Sequence, residues 1–443
     1  MFNNKDQRQF AKFGVVDLIR ATQIVQELIQ EPQILGEERA GKNKKILDDT
    51  MAGVTGANMQ ALAIIAEILI ENGVEVEGMS SQQASYEIYK YTWGMGPIEE
   101  IYNDPEVNEI RVNAFDKVYV LRKVKSGKMS DVAFRDDEHV QKLVMSITMH
   151  DQAVSLNRSC PTIESMRRDG TRITATCPPV TKHTTLVLRK PYPHLVTPEE
   201  MISLGTMNKE TWSALKMIVR GRANVLISGG VGSGKTTLLR TMAAEIDPTA
   251  RIIVLETDSE LLLQNAFPER DIVEFEEHKE SKRELRDLFR TSLRYSPVVI
   301  MVGEFRGSGE AKEAVRACIR GHNSMATAHF STPREAIEGT AKLLIEEGMN
   351  LPLNLAIADV ASAFDIVVQM FGDPIRGVIM IESITEVVVD HDSVGYRDII
   401  RWVPRGKDYL DGEWESAQGL SPALVKKLCK HISIDSLKGV GLA

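Results

Sequence analysis

Eight residues constrain this chain more than any other segment: Gly229-Gly230-Val231-Gly232-Ser233-Gly234-Lys235-Thr236. A turn this rich in glycine lets the backbone adopt conformations that a Cβ would forbid. Before it, Asn224-Val225-Leu226-Ile227-Ser228 is an apolar run that reads as a buried strand. After it, Thr237-Leu238-Leu239-Arg240-Thr241-Met242-Ala243-Ala244 reads as a helix. Strand, glycine turn and helix start are the arrangement in which backbone N–H groups curl around an anion while the helix N-terminus adds positive potential. Gly229, Gly230, Val231, Gly232, Ser233, Gly234, Lys235, Thr236 and Thr237 are therefore the expected phosphate cradle. In it the Lys235 ammonium would reach the β- and γ-phosphates of ATP, and the Thr236 hydroxyl would ligate Mg²⁺. A chance lysine in a glycine-rich turn would not be bracketed in this way.

At 443 residues the chain is too long for one core, so two or three domains are expected. The net charge of −9 argues against broad nucleic-acid binding. The longest apolar stretch, Ala61 to Ile70, is interrupted by Glu67 and is too short to span a bilayer. The opening Met1-Phe2-Asn3-Asn4-Lys5-Asp6 lacks the apolar core of a signal peptide, so a cytoplasmic location is expected. Cys160, Cys177, Cys318 and Cys429 have neither metal-knuckle nor disulfide-framework spacing and are expected to be buried thiols.

Four regions are expected. Residues 1–92 read as a helical N-terminal extension, with helices over Gln60–Asn72 and Ser81–Tyr91. Residues 93–190 read as an α+β domain. Asn108–Asn113 and Lys117–Leu121 alternate like paired strands, Glu138–Met149 is helical, and Arg172–Thr176 and Thr184–Arg189 are further strands. Residues 191–199 hold Pro191, Pro193 and Pro198 and read as a semi-rigid linker. Residues 200–443 alternate strands and helices as in an α/β domain with a largely parallel sheet, the strands being Asn224–Ser228, Arg251–Leu255, Val298–Val302 and Asp365–Met370. A small appended subdomain is expected after about residue 385.

Three further segments sharpen the nucleotide reading. Val298-Val299-Ile300-Met301-Val302-Gly303-Glu304 is an apolar strand ending in an acid, which sets a carboxylate near Mg²⁺ and the γ-phosphate. Arg251-Ile252-Ile253-Val254-Leu255-Glu256-Thr257-Asp258-Ser259-Glu260 is a second strand with acids at its C-terminal end, where ligands of open parallel sheets gather. Glu256 would polarise the attacking water and Glu260 would orient a neighbour. Gly321-His322-Asn323-Ser324-Met325-Ala326-Thr327-Ala328-His329 carries two histidines. Zinc would need further ligands at suitable spacing, and none is near, so this segment reads as a polar sensor beside the phosphates.

Phosphate turn, acidic segment, acid-ended strand and histidine segment, in this order, resemble the secretion ATPase superfamily of type II and type IV secretion and pilus assembly. The likeness is nearest to the tight-adherence (Flp/Tad) and VirB11-like branches. Gly94–Glu100 with Glu109–Asn113, and Arg168–Arg172 with Cys177–Pro179 and Leu188–Lys190, resemble that family's preceding domain, so the likeness spans about residues 93–390. Departures are Thr257 and Val298 where aspartates are usual, Arg320 for a threonine, and Phe330 for a small residue.

The resemblance implies a RecA-like P-loop ATPase domain, an α+β N-terminal domain and a homohexamer with nucleotide between the two domains. It implies Lys235, Glu256, Glu304 and His329 as catalytic residues, with Thr236 and Glu304 on Mg²⁺. Arg172 and Arg189 would close over the phosphates, whereas the residues alone read as surface arginines flanking strands. Arg290, Arg294 and Arg306 match family arginines expected at subunit contacts. The implied partners are integral inner-membrane platform proteins, with the motor at the periphery of the cytoplasmic membrane. Two alternatives stand beside this reading: a nucleic-acid translocating ATPase of a conjugation system, and a non-cycling nucleotide-sensing subunit.

Overall fold

The computed structural model describes residues 13–122, 127–151, 155–191, 195–277, 283–305, 308–346, 351–390 and 393–443. These fall into two compact units, one ending at residue 191 and one beginning at 195.

In the first unit, helices Leu18–Leu28, Glu37–Ala52, Ala57–Glu71 and Ser81–Thr92 bury one apolar cluster that includes Ile24, Leu47, Ile65, Ile68 and Ile88. Ser80 starts the last of these with a reciprocal cap. Its hydroxyl accepts from Gln83 N–H while the Gln83 side chain accepts from Ser80 N–H. A short parallel pair, β1 (Gly14–Val16) and β2 (Val74–Val76), lies beside them. A six-stranded antiparallel sheet follows, made of β3 (Val107–Ala114), β4 (Lys117–Arg122), β5 (Lys128–Met129), β6 (Thr162–Met166), β7 (Arg172–Thr176) and β8 (Thr185–Arg189) in the order β5-β4-β3-β8-β7-β6. Helix Asp137–Ile147 packs Val140 and Val144 into the core that Ile110, Val112, Ile173 and Leu188 supply.

The helical extension and the sheet share this unit because the backbone ties them. Helix Glu37–Ala52 ends at Gly53, whose φ of +83° is open to glycine; a Cβ there would come within 2.7 Å of Arg167 Nε. The buried Arg167 donates to Thr50 O at 3.0 Å, and Arg168 N–H donates to Ala52 O at 2.8 Å.

The second unit is built on a nine-stranded sheet. Its strands are β9 (Val225–Gly229), β10 (Ile252–Glu256), β11 (Ile272–Glu276), β12 (Val299–Phe305), β13 (Asn323–Ala328), β14 (Ile366–Asp373), β15 (Val378–Asp390), β16 (Ser393–Pro404) and β17 (Gly412–Ser416). Their order is β11-β10-β12-β13-β9-β14-β15-β16-β17. Pairing is parallel from β11 to β14 and antiparallel from β14 to β17. Strands β9 and β10 are buried throughout, which is why they read as unbroken apolar runs. Leu226, Ile253, Leu255, Ile300, Val302, Phe289 and Val367 form the core on which the site rests.

Several expectations change. The residues after about 385 are not an appended subdomain: β15, β16 and β17 continue the same sheet. Behind them, helix Pro422–Leu428 is tied back by Lys427, whose ammonium meets Asp365 at 2.6 Å. Of the expected linker, residues 192–194 lie outside the described residues. Pro198 opens helix Pro198–Ser203, where its missing N–H costs nothing. Cys160 and Cys429 are exposed, whereas Cys177 and Cys318 are buried.

Asn224, just before β9, joins three segments of this sheet. Its Nδ2 donates to Ala363 O at 2.8 Å, its Oδ1 accepts from Ser324 N–H at 3.0 Å, and its own N–H donates to Asp365 Oδ2 at 2.6 Å. Asn224→Leu would strand a buried donor and a buried acceptor, each costing about 1–3 kcal/mol. An unfolding free energy from urea titration lowered by about 2 kcal/mol or more is expected; an unchanged value would mean that the asparagine is not the tie.

Candidate functional site

The C-terminal ends of β9, β10, β12 and β13 converge on the glycine turn. Parallel order brings them there, because each strand runs the same way as its neighbour. The turn is shaped by Gly232 (φ +72°) and Gly234 (φ +84°), both in the left-handed region. At Gly234 a Cβ would also press to 3.0 Å against Ile379 Cγ2 of β15. Helix Lys235–Ala243 starts directly after it, earlier than the sequence pattern indicated, and Gly234 offers no side-chain cap. Its first amides are thus left to an anion, which fits a phosphate.

Lys235 is buried, only 6% exposed. Its ammonium donates to Gly229 O at 3.1 Å, to Gly230 O at 3.0 Å and to His329 Nδ1 at 3.1 Å. On its other side the His329 ring meets the Glu304 carboxylate through Nε2. The Thr236 hydroxyl donates to Glu260 Oε2 at 3.1 Å. Two polar sets thus start from consecutive residues at the head of the helix: Lys235 with His329 and Glu304, and Thr236 with Glu260. The Thr236 hydroxyl and the Glu260 carboxylate beside it are hard oxygen donors of the kind Mg²⁺ takes. Among the described residues, no group of three His, Cys, Asp or Glu side chains is placed to hold a metal ion by itself.

Glu256 stands apart from the expected role. It is the last residue of β10 and is 3% exposed. Its carboxyl turns back into its own loop, accepting from Glu260 N–H at 3.1 Å and Leu261 N–H at 3.1 Å. Gly303 makes room for it, since a Cβ there would lie 2.5 Å from Glu256 Oε1. Burial pushes its pKa up to about 8, with Glu260 and Glu274 adding repulsion and the two backbone N–H groups opposing. Glu256 thus shapes the loop, and Glu260, expected only to orient a neighbour, is the acid that reaches Thr236.

The two histidines of the third segment separate because that segment is itself a strand, β13. Its ends place His322 and His329 roughly 20 Å apart. His322 Nδ1 lies 3.1 Å from Pro297 O at the far end, so of the two His329 is the one at the glycine turn.

The departures from the family pattern have local partners. The Phe330 ring occupies the space over Gly339, and its carbonyl accepts from Ser228 Oγ at 3.1 Å and Gln369 Nε2 at 3.2 Å. Thr257 donates to Glu310 at 3.2 Å, and Arg320 lies over the Phe289 ring. Arg290 and Arg294 are exposed, and Arg306 lies outside the described residues.

Arg172 and Arg189 belong to the first unit. They sit directly opposite each other across β7 and β8, so the register brings them onto one face. Sequence reasoning missed Met370, Gly372 and Ile379. Gly372 lies against the turn so closely that a Cβ would meet Ser233 Cα at 2.7 Å, and no motif signals it. A cavity of about 420 Å³, lined by Val219, Arg222, Ile246, Met325 and His431, lies at the opposite, N-terminal end of the parallel strands.

Sheet and site together define a mixed α/β chain with a glycine-rich turn that meets acidic and histidine side chains. The chain belongs to the family of type II/IV secretion system proteins, which it matches over residues 92–371. An uncharacterised protein of Methanocaldococcus jannaschii is 25% identical over 339 residues, covering 75% of this chain; the chain spans 60% of that relative. The probable conjugal transfer protein TrbB of Sinorhizobium fredii is 26% identical over 293 residues, covering 63% of this chain and 85% of the relative. The solved VirB11 ATPase of the Brucella suis type IV secretion system, in complex with sulphate, is 23% identical with a TM-score of 0.36, covering 67% of this chain and 94% of that one. Among the described residues, no helix is long and apolar enough to cross a membrane.

The raised Glu256 pKa carries a stability prediction. Folded protein keeps a proton that the unfolded chain releases near pH 4.3. The contribution is fully present below that pH and is lost as pH rises toward about 8. Wild type should therefore lose stability relative to Glu256→Gln between pH 5 and pH 8 in urea titrations. Parallel pH profiles would overturn the assignment.

Proposed function

We propose that this protein is an ATP-hydrolysing motor that powers pilus assembly or type II/IV secretion across the cytoplasmic membrane. The observation that carries the reading is that consecutive residues at the start of helix Lys235–Ala243 gather the acidic and histidine side chains: Lys235 with His329 and Glu304, Thr236 with Glu260. Lys235 and the amides of Gly229–Thr237 hold the phosphates. Thr236 and Glu304 hold Mg²⁺, which supplies charge neutralisation on the phosphoryl oxygens when bound. Glu304 and Glu260 orient water, and buried Glu256 keeps the Glu260 loop in place. Arg172 and Arg189 supply positive charge for the transferred phosphoryl group.

The unit from residue 200 is a RecA-like P-loop ATPase in this reading. The motor is a homohexamer of the tight-adherence (Flp/Tad) or VirB11-like kind, works at the inner face of the membrane, and acts on integral platform proteins. The family match and the name of the TrbB relative support this. The conjugal transfer relative also supports a second reading, in which the same ATPase moves a DNA–protein complex.

Phosphate release with Mg²⁺ and ATP tests the reading. Lys235→Ala and Glu304→Gln should each lower turnover by about 10²–10³ while circular dichroism is unchanged. Light scattering should show six subunits on adding ATP. Retained turnover in both variants would refute the assignment, and stimulation by single- or double-stranded DNA would favour the second reading.

A further inference from the structure

Lys235 is a donor with a limited number of bonds. An ammonium has three N–H groups and no acceptor. In this structure it reaches Gly229 O, Gly230 O and His329 Nδ1. With its N–H groups engaged in this way, a phosphate oxygen gains a bond from it by displacing a partner. The two carbonyls belong to the glycine turn, whose backbone is pinned by Met370, Gly372 and Ile379. The His329 ring, by contrast, is 35% exposed and follows the last residue of β13. The imidazole is the partner that yields.

The same contacts fix the tautomer. Nδ1 faces a group that can only donate, so Nδ1 carries a lone pair. The proton is then on Nε2, which faces the Glu304 carboxylate and donates to it. A doubly protonated ring would turn an N–H toward an ammonium.

Resting on the nucleotide reading above, we propose that His329 is a positioning residue that clasps Lys235 to Glu304, and that nucleotide phosphate competes with it for the Lys235 ammonium. One neutral imidazole then reports phosphate at Lys235 to the carboxylate at the end of β12. Removing the ring removes the competitor, so nucleotide affinity rises. It also removes the donor that orients Glu304, so turnover falls. A side chain that served only to bind phosphate, or only to pack, would not give opposite signs in binding and rate.

The test uses the full chain and ADP as probe, with affinity measured by calorimetry for wild type, His329→Ala, His329→Gln and Lys235→Ala. His329→Ala should bind ADP about three- to tenfold tighter than wild type while its ATP turnover drops. His329→Gln, whose amide both accepts and donates, should return toward wild-type affinity. In ¹⁵N spectra of histidine-labelled protein at neutral pH, one ring with a proton-free Nδ1 should be missing from His329→Gln and should shift on adding ADP. Unchanged or weaker ADP binding by His329→Ala, with binding abolished in Lys235→Ala, would overturn the clasp and leave the phosphate site standing. Wild-type ADP binding by Lys235→Ala would instead overturn the nucleotide reading itself.

Discussion

A buried ammonium group must have partners, and the architecture of the second unit is organised around giving Lys235 its own. At 6% exposure its charge would be costly without acceptors on every N–H. Those acceptors come from the turn that carries it and from the end of β13. The turn holds its shape because Gly232 and Gly234 adopt left-handed backbone conformations and because Met370, Gly372 and Ile379 leave no room for side chains there. Parallel pairing of β9, β13 and β12 then puts His329 and Glu304 within reach.

A second constraint lies beside the first. Gly303 has no side chain, so the Glu256 carboxyl can lie under β12 and gather the Glu260 and Leu261 amides. That buried acid gives the loop a fixed form and brings the Glu260 carboxylate to Thr236. The acid that a strand-end pattern singles out is thus the one that builds the loop, while the acid four residues later faces the site. Spacing along the chain does not distinguish these roles, because both residues are glutamates at the same sheet edge. Burial distinguishes them.

Much of the frame was legible in the residues. The glycine turn between strand and helix, the buried strands β9, β10, β12 and β14, and the convergence of their C-terminal ends follow from apolar runs and glycine placement. Strand β13 was not legible, since Asn323-Ser324-Met325-Ala326-Thr327-Ala328 lacks β-branched and aromatic residues apart from Thr327. It is a strand because it lies between β12 and β9 in the middle of the sheet. The long antiparallel strands β15 and β16 were also missed. Much of β16 is exposed or half-buried, and its alternation is weak. Gly303, Gly339 and Gly372 carry no local signal, because what each makes room for comes from elsewhere in the chain: Glu256, Phe330 and Ser233.

On binding nucleotide, Lys235 exchanges a protein partner for a phosphate. A crystal structure of the full chain grown with Mg²⁺ and ADP measures this directly. The β-phosphate is expected over the N-terminus of helix Lys235–Ala243, with the Lys235 ammonium on it and His329 withdrawn from Lys235. ADP bound at the cavity near Val219 and His431, or Lys235 still held by His329 beneath a bound phosphate, would contradict it.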